Sequence, residues 1–254
     1  MGCKLSPVVS SRRFAPDKII MKRSTAKFCS NNSGLSGTCF YIGEGKILHE
    51  QCDKLFFVTC DHVVGAELTI LLHFSKSFTC TATVLYRNDT DDISILSCDD
   101  PDLKKRMNGV YELELEDDLH VGEAVFAFGF PSSGSHSHKS ALQTTTVNHL
   151  IAGARPSKGD TAANLQWRTS HFFIMNGVMD YGCSGGPVLN GDGDVVGMLC
   201  EAQYEGLSFC LRGNYIRDHI SRADIALKEW TNHWLCVYRY QNVTKMFFMG
   251  MEMI

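Results

Sequence analysis

Short runs of β-branched and aromatic residues recur along the chain, separated by polar, turn-prone stretches. The first set predicts strands at 36–42, 55–59, 67–74, 78–86 and 93–97. A second set predicts strands at 124–130, 142–152, 166–175, 187–189, 195–200 and 207–211. Asn190-Gly191-Asp192-Gly193-Asp194 is a strong hairpin turn between two of them. Between the sets, 99–118 is a charged connector with one strand at 110–115. Many short strands at regular spacing indicate a barrel or sandwich and reject a parallel α/β sheet. Near the end, Ile216, Ile220, Ile225 and Trp230 fall at helical spacing and predict an amphipathic helix over 215–230.

The rest of the composition narrows the class. The chain has 254 residues, 44% of them hydrophobic and 20% charged, which suits a globular protein with a sizeable core. A net charge of −4 gives no reason to expect nucleic acid. No apolar run approaches the ~18 residues of a membrane span. The 11 cysteines are odd in number, follow no secretory segment and lack zinc-finger spacing. They read as reduced, small core residues in an intracellular, cytoplasmic setting.

Residues 1–33 carry seven lysines and arginines against one acid, Asp17, and are expected to be a disordered arm. Gly2 and Cys3 fit an acylation pattern that would give peripheral membrane contact, although Pro7 disfavours it. The same basic composition suits import into an organelle, and a plain cytosolic tail is the third reading. His136 and His138 lack carboxylate or cysteine company and read as a solvated loop, so no metal site is expected.

The chemistry concentrates in Gly182-Cys183-Ser184-Gly185-Gly186-Pro187. Small residues around the serine allow a sharp turn that presents its side chain. They also free the amides of Gly182 and Ser184 to hold the oxyanion of an attacked carbonyl. Serine needs a base and an orienting acid. Upstream, an apolar run ends at His62, and Asp91-Asp92 opens the alternating Ile93-Ser94-Ile95-Leu96. Asp92 is favoured as the acid because it directly precedes that strand, with Asp91 and Asp89 as alternatives. No metal or organic cofactor is needed for this chemistry.

These segments resemble trypsin-like serine proteases, and among them the HtrA/Deg branch. Thr59 to Val64 is similar to that branch's T-x-x-H-V-V segment, and Thr90 to Leu96 to its acid-bearing segment with one residue inserted. Val121 to Pro131 is similar to its V-G-E-x-V-x-A-x-G-x-P segment, and the serine string matches with Cys183 in the Asn place. The resemblance implies two six-stranded antiparallel β-barrels with a C-terminal helix. The protease domain would span 34–222, with a linker near 99–120 and a helix and tail over 223–254. It implies a serine endopeptidase acting on proteins or peptides through His62, Asp92 and Ser184. It implies a specificity pocket lined by Asn176, Gly177, Val178 and Met179, then Leu199, Cys200, Glu201 and Ala202. No acid sits at the pocket base, so small or medium apolar residues are expected at the cleavage site. Cys183 stands where activated trypsins hold an acid, which argues against their zymogen switch and makes it a candidate redox-sensitive neighbour. The chain is too short for an added PDZ domain, so trimer-forming and chaperone roles are not carried over. The other functional reading is a catalytically silent domain that binds proteins.

Overall fold

The structure is a computed structural model that describes residues 18–29, 34–44, 54–108, 110, 114–116, 118–132, 140–151, 171–177, 179–203 and 206–224. All five residues of β3 (Leu55–Thr59), which pairs with β2 (Ser36–Glu44) and β6 (Ile93–Cys98), are buried, so both faces of the strand are covered. An apolar run with no alternation is what such a position requires. In contrast, β4 (Thr69–Ser75) and β5 (Phe78–Asn88) alternate, with Ile70, Leu72, Cys80 and Ala82 facing inward. β1 (Thr25–Cys29) pairs with both β2 and β4 and closes the first barrel in the order β1-β2-β3-β6-β5-β4.

The second barrel closes in the order β10-β11-β12-β9-β8-β7. Its strands are β7 (Ala124–Gly129), β8 (Ala141–Ile151), β9 (Phe172–Asn176), β10 (Pro187–Leu189), β11 (Val195–Gln203) and β12 (Leu207–Arg212). Alternate residues divide between two cores. Val125, Ala127, Phe173 and Met175 pack in one cluster, with Cys183 and Val188. Phe128, Phe172 and Ile174 face the other way, into a core continuous with the first barrel. A last helix, α4 (213–224), adds Ile216, Ile220 and Ala223 to that shared core. The expected pair of six-stranded barrels and the C-terminal helix are therefore present. Among the described residues no helix is long and apolar enough to cross a membrane.

Two expectations need correction. The disordered arm through residue 33 fails for part of its length: Lys18–Ser24 is a helix (α1), and Thr25–Cys29 is a barrel strand. Ala26 and Phe28 are buried, and their alternation with polar neighbours is a short strand signal within a basic stretch. The acylation residues Gly2 and Cys3 and the loop histidines 136 and 138 lie outside the described residues. The connector does not show the predicted strand at its described residues: Val110 and Glu114 lie in no strand, and Leu115 makes an isolated bridge, to Val195. Instead it holds α3 (Pro101–Met107), whose Asp100 cap accepts from the amides of Asp102 and Leu103. Pro101 opens that helix, and Leu103 and Met107, one turn apart, are buried. His62 follows β3 in a one-turn helix, α2 (Asp61–Val64).

Phe57 is fully buried in the first barrel, with its ring 5.7 Å from Tyr41 and 5.8 Å from Phe74. Phe57→Ala should cost about 3–5 kcal/mol in urea unfolding. A loss below about 1 kcal/mol would mean that this aromatic cluster does not set the stability of the barrel.

Candidate active site

His62 and Asp92 meet across the first barrel's rim. The ring Nδ1 lies 2.8 Å from Asp92 Oδ2 and 3.0 Å from Oδ1. The main-chain amide of His62 also donates to Oδ1, at 2.8 Å. Because a carboxylate only accepts, the proton sits on Nδ1 and leaves Nε2 with a free lone pair. The imidazole is 34% exposed and Asp92 only 1%, so the ring is open to solvent while its partner is sealed behind it. Asp92 has φ of 56°, a left-handed conformation that non-glycine residues adopt at a cost of about 1–3 kcal/mol. The neighbouring Asp61 is also buried. It accepts from Arg87 Nε at 2.7 Å, Arg87 Nη2 at 3.0 Å and Ser94 Oγ at 2.6 Å. This ion pair anchors the helix that carries His62 and raises the Arg87 pKa, chiefly through the hydrogen bond to Asp61.

The serine loop belongs to the second barrel but docks on the first. Thr38 of β2 donates from its amide to the Ser184 carbonyl and from its hydroxyl to the Gly182 carbonyl, each at 2.8 Å. Gly182 and Gly185 have φ of 92° and 85°, which only glycine adopts without strain. A Cβ on Gly185 would overlap the Thr38 carbonyl oxygen and the Thr59 hydroxyl. The Gly185 amide donates to the Leu199 carbonyl at 2.7 Å, and the Cys60 thiol reaches the same oxygen at 3.2 Å. Ser184 therefore lies beside the segment that leads from Cys60 into His62. Among the described residues its hydroxyl makes no hydrogen bond to His62 or to any other side chain. Catalytic contacts are commonly long without substrate and tighten when it binds. The amides of Gly182 and Ser184 donate to no group among the described residues. Cys183 points away, buried against Gly129, and burial pushes its thiol pKa up to about 12. A thiol so protonated and enclosed is a poor redox sensor, which counts against the expectation drawn from its position.

The carboxylate of Asp91 faces away from His62. Its carboxylate bonds His171 Nδ1 at 3.1 Å and His219 Nε2 at 3.0 Å. His219 Nδ1 in turn meets the Tyr86 hydroxyl at 3.0 Å, and His171 packs against Tyr215 with ring centroids 3.8 Å apart and planes tilted by 43°. The turn that carries Asp92 is thereby clasped to the start of β9 and to α4. Asp91 is committed to the second barrel, and Asp92 alone of the pair meets His62.

The family description of a trypsin-like peptidase domain matches residues 37–198, more than half of the chain. The chain belongs to this family. It is similar to Serine protease Do-like HtrA of Bacillus subtilis, at 25% identity over 185 residues, 69% of this chain and 37% of that protein. It is similar to the mitochondrial serine protease HTRA2 of Bos taurus, at 27% identity over 168 residues, 66% of this chain and 33% of that one. The chain thus spans about a third of the length of the curated relatives it matches. Among solved structures, Rv3671c of M. tuberculosis aligns with a TM-score of 0.59 at 20% identity, covering 81% of this chain and 93% of that one. The serine endoprotease of Yersinia pestis aligns with a TM-score of 0.59 at 15% identity, covering 81% and 64%. These two likenesses concern the fold.

In this trypsin-like peptidase domain the expected pocket residues divide. Asn176 ends β9 with an exposed side chain, and Gly177 turns the chain with φ of 89°. Gln143 lies against the open face of Gly177, and Ser208 donates to the Gly177 carbonyl at 2.9 Å. Met179, Leu199 and Cys200 are buried, with Met179 and Leu199 inside the second barrel's core. Glu201 and Ala202 continue β11. Val178 lies outside the described residues. Several site residues gave no clear sequence signal. Thr38 reads as any strand threonine. Asp61 was visible only as an acid interrupting an apolar run. His171 and His219 are far from Asp91 in sequence.

Burial, its largest cause, lowers the pKa of His219 despite the attraction of Asp91, with Arg222 adding to the lowering and Asp218 opposing it. A neutral folded histidine means that the unfolded chain takes up the proton first as pH falls. Its contribution to stability is thus lost below about pH 6.5, the unfolded value. Chemical unfolding measured between about pH 6.5 and 5 should show a shallower loss of stability in His219→Gln than in the native chain. Equal slopes would remove His219 from the titration.

Proposed function

We propose that the protein is a serine endopeptidase that cleaves peptide bonds through His62, Asp92 and Ser184. The observation that carries the reading is the 2.8 Å pair of His62 and Asp92 beside a serine loop whose Gly182 and Ser184 amides donate to no group among the described residues. Ser184 Oγ attacks the peptide carbonyl carbon as its proton passes to His62 Nε2. Asp92 keeps Nδ1 protonated and stabilises the imidazolium that forms. The amides of Gly182 and Ser184 receive the carbonyl oxygen as it becomes negative, worth about 3–4 kcal/mol for one such donor. When the C–N bond breaks, His62 returns the proton to the leaving amine. Water then hydrolyses the acyl-enzyme by the same route in reverse. The curated relatives named above are serine proteases by description, which supports this reading.

The alternative is a silent domain that binds proteins without cutting them. Its support is limited to the unbonded Ser184 hydroxyl. A fluorophosphonate probe separates the two readings. The folded native chain should be labelled at Ser184 and Ser184→Ala should not, while Asp92→Asn should lower peptide hydrolysis by about four orders of magnitude. A folded native chain that resists the probe would favour the binding module.

Cleavage preference is read from the segment before the serine. Asn176, Gly177 and Met179 carry no acid, and Gln143 and Ser208, which meet Gly177, are neutral. A peptide library should be cut after small or medium apolar residues. A profile dominated by Arg or Lys would refute this account of the pocket.

A further inference from the structure

Directly behind the His62–Asp92 pair lies a second cluster with its own chemistry. Cys60 Sγ, Cys200 Sγ and an Asp92 carboxylate oxygen all lie within 4.8 Å of one another, and all three residues are buried. They come from the end of β3, the turn before β6 and the middle of β11. The closure of the two barrels against each other, rather than any local motif, assembles them. Neither cysteine is in a disulfide.

Two sulfurs and a carboxylate oxygen are a donor set suited to zinc, whose soft thiolate ligands distinguish it from magnesium or calcium. Three atoms so arranged leave a point no more than about 2.8 Å from each, against ~2.3 Å for a zinc–sulfur bond and ~2.0–2.2 Å for zinc–oxygen. Shifts of about half an ångström would close the shell. The Leu199 carbonyl lies 3.2 Å from Cys60 Sγ.

We propose that Cys60, Cys200 and Asp92 form an inhibitory binding site for a thiophilic divalent cation, Zn2+ by the chemistry of its donors. Binding exchanges two thiol protons for the cation, giving two Zn–S bonds and one Zn–O bond. The charge of the cluster is unchanged, since two protons leave as one dication enters. Inhibition comes instead from the carboxylate itself. Its oxygens hold the ring and the amide of His62, and an oxygen drawn toward the cation binds that proton less strongly. The imidazolium then loses its support. The inhibitory role rests on the peptidase reading, whereas metal binding does not.

The test uses the reduced, untagged full chain, first stripped with EDTA. Equilibrium dialysis should find one Zn2+ per chain, and Co2+ in its place should give a thiolate-to-cobalt absorption band. Zn2+ should slow fluorophosphonate labelling at least tenfold, and EDTA should restore it. Cys60→Ser and Cys200→Ser should each lose the cobalt band. Each should also need at least tenfold more Zn2+ for half-inhibition, relative to its own metal-free rate. Cys29→Ser, which removes the exposed thiol of β1, should match the native chain. X-ray absorption of the zinc-bound native chain needs no variant and should show two sulfur neighbours. A metal shell of nitrogen and oxygen only, or inhibition unchanged in both cysteine variants, would overturn the site. A cobalt–sulfur band in a chain that the probe never labels would uphold the metal site and overturn its inhibitory role together with the peptidase reading.

Discussion

One buried threonine fixes how the two barrels meet. Thr38 gives its amide to Ser184 and its hydroxyl to Gly182, and the same hydroxyl accepts from the amide of Phe130 at 3.0 Å. Its carbonyl accepts from the Thr59 hydroxyl at 2.7 Å. Every polar atom of Thr38 is thus engaged, in a place where an unmet donor or acceptor would cost about 1–3 kcal/mol. Two of its partners are the residues whose own amides donate to no group among the described residues. The serine loop cannot slide relative to β2 and β3 without breaking this set. The distance between the two halves of the site is therefore a property of the core rather than of a surface loop.

Around that junction three aspartates do different work because of what faces each one. Asp61 is buried and saturated by Arg87 and Ser94, and it holds the short helix in place. Asp92, turned into a left-handed conformation, reaches His62. Asp91, its immediate neighbour, points to histidines of the second barrel and of α4. The backbone reversal at Asp92 sends two successive carboxylates to opposite partners. The cost of that conformation is offset by bonds on both sides of the turn.

Much of this could be read from the chain before its coordinates. Alternating and fully apolar runs located most of the strands, because a closed barrel imposes a period of two or complete burial on its members. The glycines about Ser184 announced a tight presentation of that residue, and the distances around His62 favour Asp92 over its neighbours. What stayed hidden depends on contacts remote in sequence. Nothing distinguishes Thr38 from a threonine that merely likes strands. The pairing of Asp91 with His171 and His219 spans 80 and 128 positions. Two other misses were legible in principle. Asp100-Pro101 followed by Leu103 and Met107 is a capped helix start with an apolar stripe, outweighed in the reading by its charge. Thr25 to Cys29 was obscured by the basic residues around it.

The closing strands have a practical corollary. β1 is hydrogen-bonded to β2 on one side and β4 on the other, and β12 likewise to β11 and β9. The span shared with the wider family, 37–198, begins after β1 and stops partway along β11. A recombinant fragment trimmed to that span would open both barrels. Four strand edges would then lie bare, ready to pair with those of a neighbouring molecule and precipitate.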